Sequence, residues 1–464
     1  MPTDGLYIHV PFCKSRCIYC DFYSTTCGAD KRQAYTEALC HEMRLRRDFL
    51  DGGTLSSVYI GGGTPSTLSA DELGRIFQTI TATWSLSADA EVTLEANPDD
   101  ITPAYAKALK ALGINRVSMG VQTFNDGMLR FLHRRHSAAQ VQEAIDHLQG
   151  AGIDNLSIDL IYGLPGQTLE QWQQDVGKAL ALPVSHLSAY ALIYEEGTAL
   201  YRLREQGKAA EASDELSLQM FEALMDMAAE AGFRHYEISN FALPHREARH
   251  NSGYWTGMHY LGIGPAAHSY NGTVRQWNTP DLSAYLKAGG DTATAGLITT
   301  ETLTPKIRQE ETLLTRLRTA EGLDLAAFTH EFGQQALDAL LARAKPYINN
   351  GTLVLCDAAP ESFINGQWPI VNAEGIASGS TAVSGAGADF KDPRERSGNG
   401  QRSMINAAGI ASNSSAVSGA GADFKEPRKR SGNGQWSMVN GQWLRLTRKG
   451  IFISDGIISS LFED

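Results

Sequence analysis

The stretch Leu6-Tyr7-Ile8-His9-Val10-Pro11-Phe12-Cys13-Lys14-Ser15-Arg16-Cys17-Ile18-Tyr19-Cys20 decides how the rest of the chain is read. Its first five residues have strand character, and three cysteines follow close behind them. Spaced C-x3-C-x2-C, three thiolates can wrap one loop around one metal centre. The gaps are not those of a zinc finger, which needs a second ligand pair further on. Three thiolates can hold three irons of a [4Fe–4S] cluster and leave the fourth iron open to an exogenous ligand. A zinc site, or three unrelated buried thiols, is the bland alternative, and the segments downstream decide between them.

Apolar runs at 6–10, 57–60, 91–95, 116–119, 156–161 and 186–192 alternate with helical patterns such as 139–149 and 216–231. Strands alternating with helices predict an α/β fold with a parallel sheet, here a full or partial (β/α) barrel. Function in such barrels sits on loops at the C-terminal ends of the strands. The cysteines follow the first strand and so belong to that face. A second, smaller and mostly helical unit is expected from about residue 280, with helices over 306–317, 323–332 and 334–344.

Size and charge narrow the function. The 464 residues can bury a large core, and 42% apolar with 20% charged content suits a soluble globular protein. A formal charge of -12 argues against broad binding to nucleic-acid phosphate. No secretory leader is expected after Met1, and no apolar run approaches the roughly 20 residues that span a bilayer. Cys27, Cys40 and Cys356 are scattered and read as reduced thiols, which predicts a cytoplasmic protein.

From residue 369 the text changes. Residues 371–404 and 405–438 are tandem copies of one 34-residue unit, identical at 27 positions and rich in Gly, Ser, Asn and Ala. With no apolar face of useful width, the unit predicts a flexible insert. The run Asn365-Gly366-Gln367-Trp368 is echoed by Asn440-Gly441-Gln442-Trp443. Excising 369–443 would join Trp368 to Leu444 and restore a continuous strand, turn and terminal helix.

Other segments carry chemistry in combination. Gly61-Gly62-Gly63-Thr64-Pro65-Ser66 follows the second strand, where glycines let the backbone approach a ligand. It lacks the lysine of a P-loop. Glu95, Gln122 and Asp159 end or lie in later strands, and Arg134 offers a guanidinium fork for a carboxylate. His250-Asn251-Ser252-Gly253-Tyr254-Trp255 could ligate haem iron through the imidazole, with rings packed on the porphyrin. Lone histidines are more often structural. His268 is the weaker alternative ligand.

Together, the segment from Tyr7 to Cys20, the glycine turn, Gly120-Val121-Gln122-Thr123-Phe124-Asn125 and Ile158-Asp159-Leu160-Ile161-Tyr162-Gly163-Leu164-Pro165 closely resemble one branch of the radical S-adenosylmethionine (SAM) superfamily. That branch holds the oxygen-independent coproporphyrinogen III oxidases and the HemW-type haem chaperones. The resemblance spans about 5–368 and 444–464. It implies Cys13, Cys17 and Cys20 as ligands of a [4Fe–4S] cluster, with Tyr7 and Tyr19 lining cluster and SAM. Gly62, Gly63, Thr64, Glu95, Gln122, Arg134 and Asp159 match positions that bind SAM in the family, whether one molecule or two. His250, Tyr254 and Trp255 match the HNxxYW motif associated with haem. The oxidases carry a further cysteine where this chain has Phe22, and a long N-terminal extension where it has twelve residues before Cys13. These features favour a chaperone, with haem as cargo for acceptors such as membrane respiratory proteins, and a homodimer as a further family expectation. An enzyme that decarboxylates coproporphyrinogen III with a SAM-derived radical stays open as the alternative. The implied organisation is a radical SAM partial barrel over 1–240 and a haem-motif segment and connection over 241–280. A C-terminal domain over 281–368 with 444–464 follows, with the insert at 369–443.

Overall fold

A computed structural model describes residues 4–26, 28–50, 53–356, 370–371, 377–378 and 442–462. Six parallel strands form its centre: β1 (Asp4–Val10), β2 (Thr54–Gly62), β3 (Ser85–Ala96), β4 (Arg116–Gln122), β5 (Asn155–Tyr162) and β6 (His186–Ala191). Each neighbours the next in sequence order. Helices Ala29–Leu45, Ala70–Thr83, Pro103–Ala111, Ala138–Gly150 and Leu169–Ala181 make the crossovers. Their starts are encoded locally. Ser69 accepts from the Glu72 backbone while Glu72 reaches back to the Ser69 N–H, and Thr168 with Gln171 does the same.

Strands added at both flanks keep the sheet open. β7 (Arg234–Glu237) and β8 (Asn240–Ala242) extend it antiparallel beyond β6. On the other side β9 (Tyr260–Ile263) runs parallel to β1, followed by antiparallel β10 (His268–Tyr270), β11 (Val274–Asn278) and β12 (Ile298–Thr302). The strand order is β12-β11-β10-β9-β1-β2-β3-β4-β5-β6-β8-β7, so this is a partial barrel. The segment after residue 240 thus continues the main sheet as far as β12.

Side-chain alternation explains what the barrel is for. Leu6, Ile8 and Val10, Val58 and Ile60, Val92 and Leu94, Val117 and Met119, and Leu156 and Ile158 turn outward into the apolar layer under the helices. Their alternates turn inward: Tyr7, Tyr59, Glu91, Glu95, Arg116, Ser118, Asp159, His186 and Ser188. Parallel strands covered on both faces by apolar layers read as continuous hydrophobic runs. A strict period of two in such strands instead makes a polar interior.

The C-terminal unit has helices Pro305–Arg316, Leu325–Phe332 and Gln334–Asn349 and a small antiparallel sheet. In that sheet Trp443–Leu446 lies between Leu323–Asp324 and Leu353–Cys356. Leu323 and Asp324, expected to open the helix, pair as a strand instead, with Asp324 capping the helix through the Ala326 and Ala327 N–H groups. Cys356 and Trp443 are partners across the sheet, so the chain leaves and re-enters at adjacent points. The tandem units lie outside the described residues apart from Val371 and Ala377–Ser378, which belong to a pairing of Ile370–Val371 with Ala377–Ser378.

One buried carboxylate joins the first crossover helix to the β9–β12 extension. Glu42, fully buried, accepts from Asn278 Nδ2 (2.7 Å), the Tyr285 hydroxyl (2.7 Å), Gly264 N (2.9 Å), Thr292 Oγ1 (3.2 Å) and Arg46 Nη1 (3.3 Å). Arg46 in turn donates to Gly262 O and Gln276 Oε1. We predict that Glu42→Ala, which leaves Arg46 buried without its carboxylate, costs on the order of 3–5 kcal/mol in a denaturant titration. An unmoved midpoint would show that the network adds nothing. A chain lacking 369–443 should place Trp368 where Trp443 stands and be more stable than the full chain by no more than about 2 kcal/mol, the closure entropy of the shorter loop. A loss of stability would tie the insert to the core.

Candidate functional site

The cysteine loop is held by its neighbours before any cofactor is considered. At its neck Cys13 N donates to Thr25 O (3.0 Å) and Thr25 N to Pro11 O (2.7 Å). At its crest Ile18 N donates to Leu132 O (3.3 Å), and Leu200 N to Ile18 O (2.8 Å). Lys14 Nζ reaches Asp100 Oδ1 (2.6 Å), a carboxylate also bound by Ser66 and Arg135. The three thiols then line one open cavity at the C-terminal ends of the strands, about 1550 Å³ of atom-free space with its mouth included. Thr64 Oγ1 donates to Cys13 Sγ and Arg134 Nη1 to Cys17 Sγ, both at 3.4 Å.

These thiols fit a cluster. Burial pushes the Cys13 thiol up, and pushes the Cys20 thiol up to about 12 with the nearby Cys17 thiol adding to the effect. Buried thiols of that kind become ligands only when a metal displaces their protons. Among the described residues no three His, Cys, Asp or Glu side chains converge on the position of a single ion. A four-iron cube asks for something else, one thiolate on each of three separate irons.

Tyr19, Gly62, Gly63, Thr64, Glu95, Gln122, Arg134 and Asp159 line the same cavity as the cysteines. The glycine turn presses against the loop: a Cβ on Gly63 would stand 2.8 Å from Phe12 O and 3.1 Å from Cys13 Sγ. Gly62, at φ +111°, leaves no room for a Cβ beside the His9 ring. Glu95 Oε1 accepts from the Tyr59 hydroxyl (2.7 Å) and Oε2 from Gly62 N (3.1 Å). Asp159 Oδ1 accepts from Ser118 Oγ (3.3 Å). Burial raises the Glu95 carboxyl to about 7 and the Asp159 carboxyl to about 6. Arg134 bridges the cluster loop and the strand ends, donating also to Asn97 Oδ1 and Gly120 O. Gln122 follows a bulge in β4 and takes a left-handed backbone, φ +69°.

The HNSGYW segment sits at the other end of the lumen. It forms helix Arg249–Thr256, whose first N–H groups are capped by Glu91: Arg249 N donates to Oε2 and His250 N to Oε1, each at 3.1 Å. His250 is fully buried. Its Nδ1 is hydrogen-bonded to Ser57 Oγ (2.8 Å) and its Nε2 to the Tyr254 hydroxyl (2.9 Å). The ring stacks on Tyr59 at 5.2 Å and on Tyr7 at 6.4 Å. Burial lowers its pKa to about 3, so it is neutral. Trp255 is nearly as buried, and Asn251 alone of the motif reaches the cavity. Tyr7 belongs to this ring stack, one layer below the cavity wall, and its hydroxyl meets His9 Nδ1 at 3.1 Å. His268 is instead stacked on Trp277.

Sequence reasoning missed Asn97, Asp100, Arg135 and Arg116. Arg116 had a signal: an arginine opening a strand that otherwise alternates apolar and small residues. The others act across long sequence separations that no local pattern reports.

The family model of the radical SAM superfamily matches residues 7–179, and that of the HemN C-terminal domain matches 303–358. A Lactococcus lactis protein named heme chaperone HemW is 38% identical over 329 residues, covering 71% of this chain and 85% of that one. A Bacillus subtilis protein of the same name is 36% identical over 335 residues, covering 72% and 88%. Among solved structures, the radical SAM enzyme coproporphyrinogen III oxidase (HemN) of Escherichia coli superposes with a TM-score of 0.66 at 23% identity, covering 76% and 84%. That last likeness is one of fold. Identity sustained over most of two HemW proteins says more, and by it this chain belongs to the HemW family of the radical SAM superfamily.

Proposed function

We propose that this protein is a haem chaperone which holds a [4Fe–4S] cluster and SAM at the mouth of its lumen, takes up haem through the floor motif, and passes the haem to acceptor proteins. The observation that carries the reading is the 38% identity across 85% of a heme chaperone HemW. The geometry supports it with a cysteine loop and a glycine turn facing one cavity, closed below by the HNSGYW helix.

Cys13, Cys17 and Cys20 would each hold one iron. A cluster with its fourth iron free supplies one-electron chemistry and a seat for the amino-acid end of SAM. Arg134, already donating to Cys17 Sγ, suits a carboxylate there. Glu95 and Asp159 keep lone pairs for amino or hydroxyl donors, and Gly62 and Gly63 let the backbone close on the ligand. Among the described residues no helix is long and apolar enough to cross a membrane, and Cys13, Cys17, Cys20 and Cys40 form no disulfide, which suits work in a reducing compartment such as the cytoplasm.

Haem ligation by His250 asks for a local opening, because both ring nitrogens are engaged. Nε2 has the cheaper release, since Tyr254 is only half-buried and lies on the same short helix as His250.

Three variants test this reading. Cys17→Ala should lose the brown absorbance of the reconstituted cluster while keeping the far-ultraviolet circular dichroism; full iron content would contradict the ligand assignment. In an anaerobic titration followed by the Soret band, wild type should bind haem stoichiometrically and His250→Ala roughly tenfold or more weakly. Tyr254→Phe, which releases Nε2, should take up haem faster than wild type. Absence of specific binding in wild type would remove the chaperone reading and direct attention to coproporphyrinogen turnover.

A further inference from the structure

Arg116 opens β4 and points into the lumen between the floor motif and the cavity mouth. It is 1% exposed, and its Nε and Nη1 atoms are buried without a hydrogen-bond partner. Three carboxylates surround it. Glu91 is the nearest, with Oε2 4.0 Å from Nε, but both Glu91 oxygens already accept from the Arg249 and His250 N–H groups. Glu95 is bound by Tyr59 and Gly62, and Asp159 by Ser118 and Ser188. The guanidinium is therefore a counter-charge to this group that hydrogen-bonds to none of it.

That arrangement has a use. Two carboxyls in a low-dielectric lumen lose their charge unless a cation stands near. An arginine in the usual bidentate pair would supply the charge and also occupy the lone pairs a ligand needs. Arg116 supplies the charge and leaves the lone pairs open. We infer that Arg116 is a positioning residue for SAM, acting through Glu95 and Asp159, whose charged forms it favours for the ligand's cationic and hydroxyl groups.

The other groups facing this set supply no equal substitute for Arg116. His186 and His250 are neutral through burial, and Tyr7, Tyr59, Tyr190, Tyr236 and Tyr254 are phenols held protonated by burial. Arg134, hydrogen-bonded at the cavity mouth to Cys17, Asn97 and Gly120, also helps to keep Asp159 charged, but more weakly than Arg116. Burial already lifts Glu95 to about 7 and Asp159 to about 6, with Arg116 pulling both back. Without Arg116 both rise further, so at neutral pH more of each carboxyl is protonated. Ionisation, and the SAM affinity that depends on it, then returns only at higher pH.

The inference rests on the SAM reading of the cavity, and one experiment separates the two. Labelled SAM is dialysed against the cluster-reconstituted full chain from pH 6 to 8.5, using wild type, Arg116→Gln and Arg116→Lys. Wild-type affinity should rise with pH through 6–7. In Arg116→Gln that rise should move up by about one pH unit, giving roughly tenfold weaker binding at pH 7 and recovery towards wild type at pH 8.5. Arg116→Lys, which keeps the charge, should keep the wild-type profile. An unshifted profile in Arg116→Gln, whether at full affinity or uniformly weakened, overturns the inference and leaves the SAM site standing. No binding by wild type overturns both. If Arg116→Gln fails to hold its cluster, Arg116→Lys decides alone: a retained profile supports the role of charge, and weakened binding at every pH overturns it.

Discussion

The carboxylate of Glu95 is the point at which the parts of this site meet. Tyr59 holds one of its oxygens and the Gly62 amide the other, so a single half-buried group fixes the end of β3, the glycine turn after β2 and the ring that packs on His250. The glycine turn lies against Cys13, and His250 is bonded to Ser57 two residues before Tyr59. Geometry at the cysteine loop and at the floor motif is therefore not independent. Desolvating a carboxylate is costly, and the two donors with the nearby positive charge of Arg116 offset that cost. A parallel barrel packed with aliphatic side chains would have needed none of this and could have held no polar ligand.

Much of the fold was legible because its signals are local. The six central strands show as apolar runs, and the capping residues at Ser69 and Thr168 mark helix starts within four residues. The cysteine loop and the glycine turn were readable for the same reason: each is one short segment whose chemistry sits in its spacing. Glu95, Gln122 and Asp159 were visible as polar strand ends, although only the fold brings them to one wall. The HNSGYW segment, read as a haem motif, shows the limit. Its six residues announce a ligand, yet the histidine is sealed by Ser57 and its helix is capped by Glu91, partners 193 and 159 positions away. Arg116 escaped notice because its meaning lies in bonds it does not make.

The site has two ends with different characters. At the mouth, the cysteine loop is tied to the loops after β3, β4 and β6 through Lys14–Asp100 and the Ile18 backbone, a rigid rim for a rigid cofactor. At the floor, an eight-residue helix holds its histidine through side-chain contacts that a small movement would release. A cargo that must be picked up and given away suits the second kind of support, and a resident cofactor the first.

The pairing of Cys356 with Trp443 has a further bearing on how this chain can change over generations. Because the flanking strands close on each other, whatever is spliced between them meets the domain at a single gate. The entropy of closing a loop rises only with the logarithm of its length, about 0.6 kcal/mol for each doubling. A gene that gains or loses one of its 34-residue units by slippage would hand selection a protein whose barrel scarcely registers the event. A change of copy number at that gate costs the fold little, whereas a change among the residues around the lumen meets the hydrogen bonds of Glu95 and the charge of Arg116.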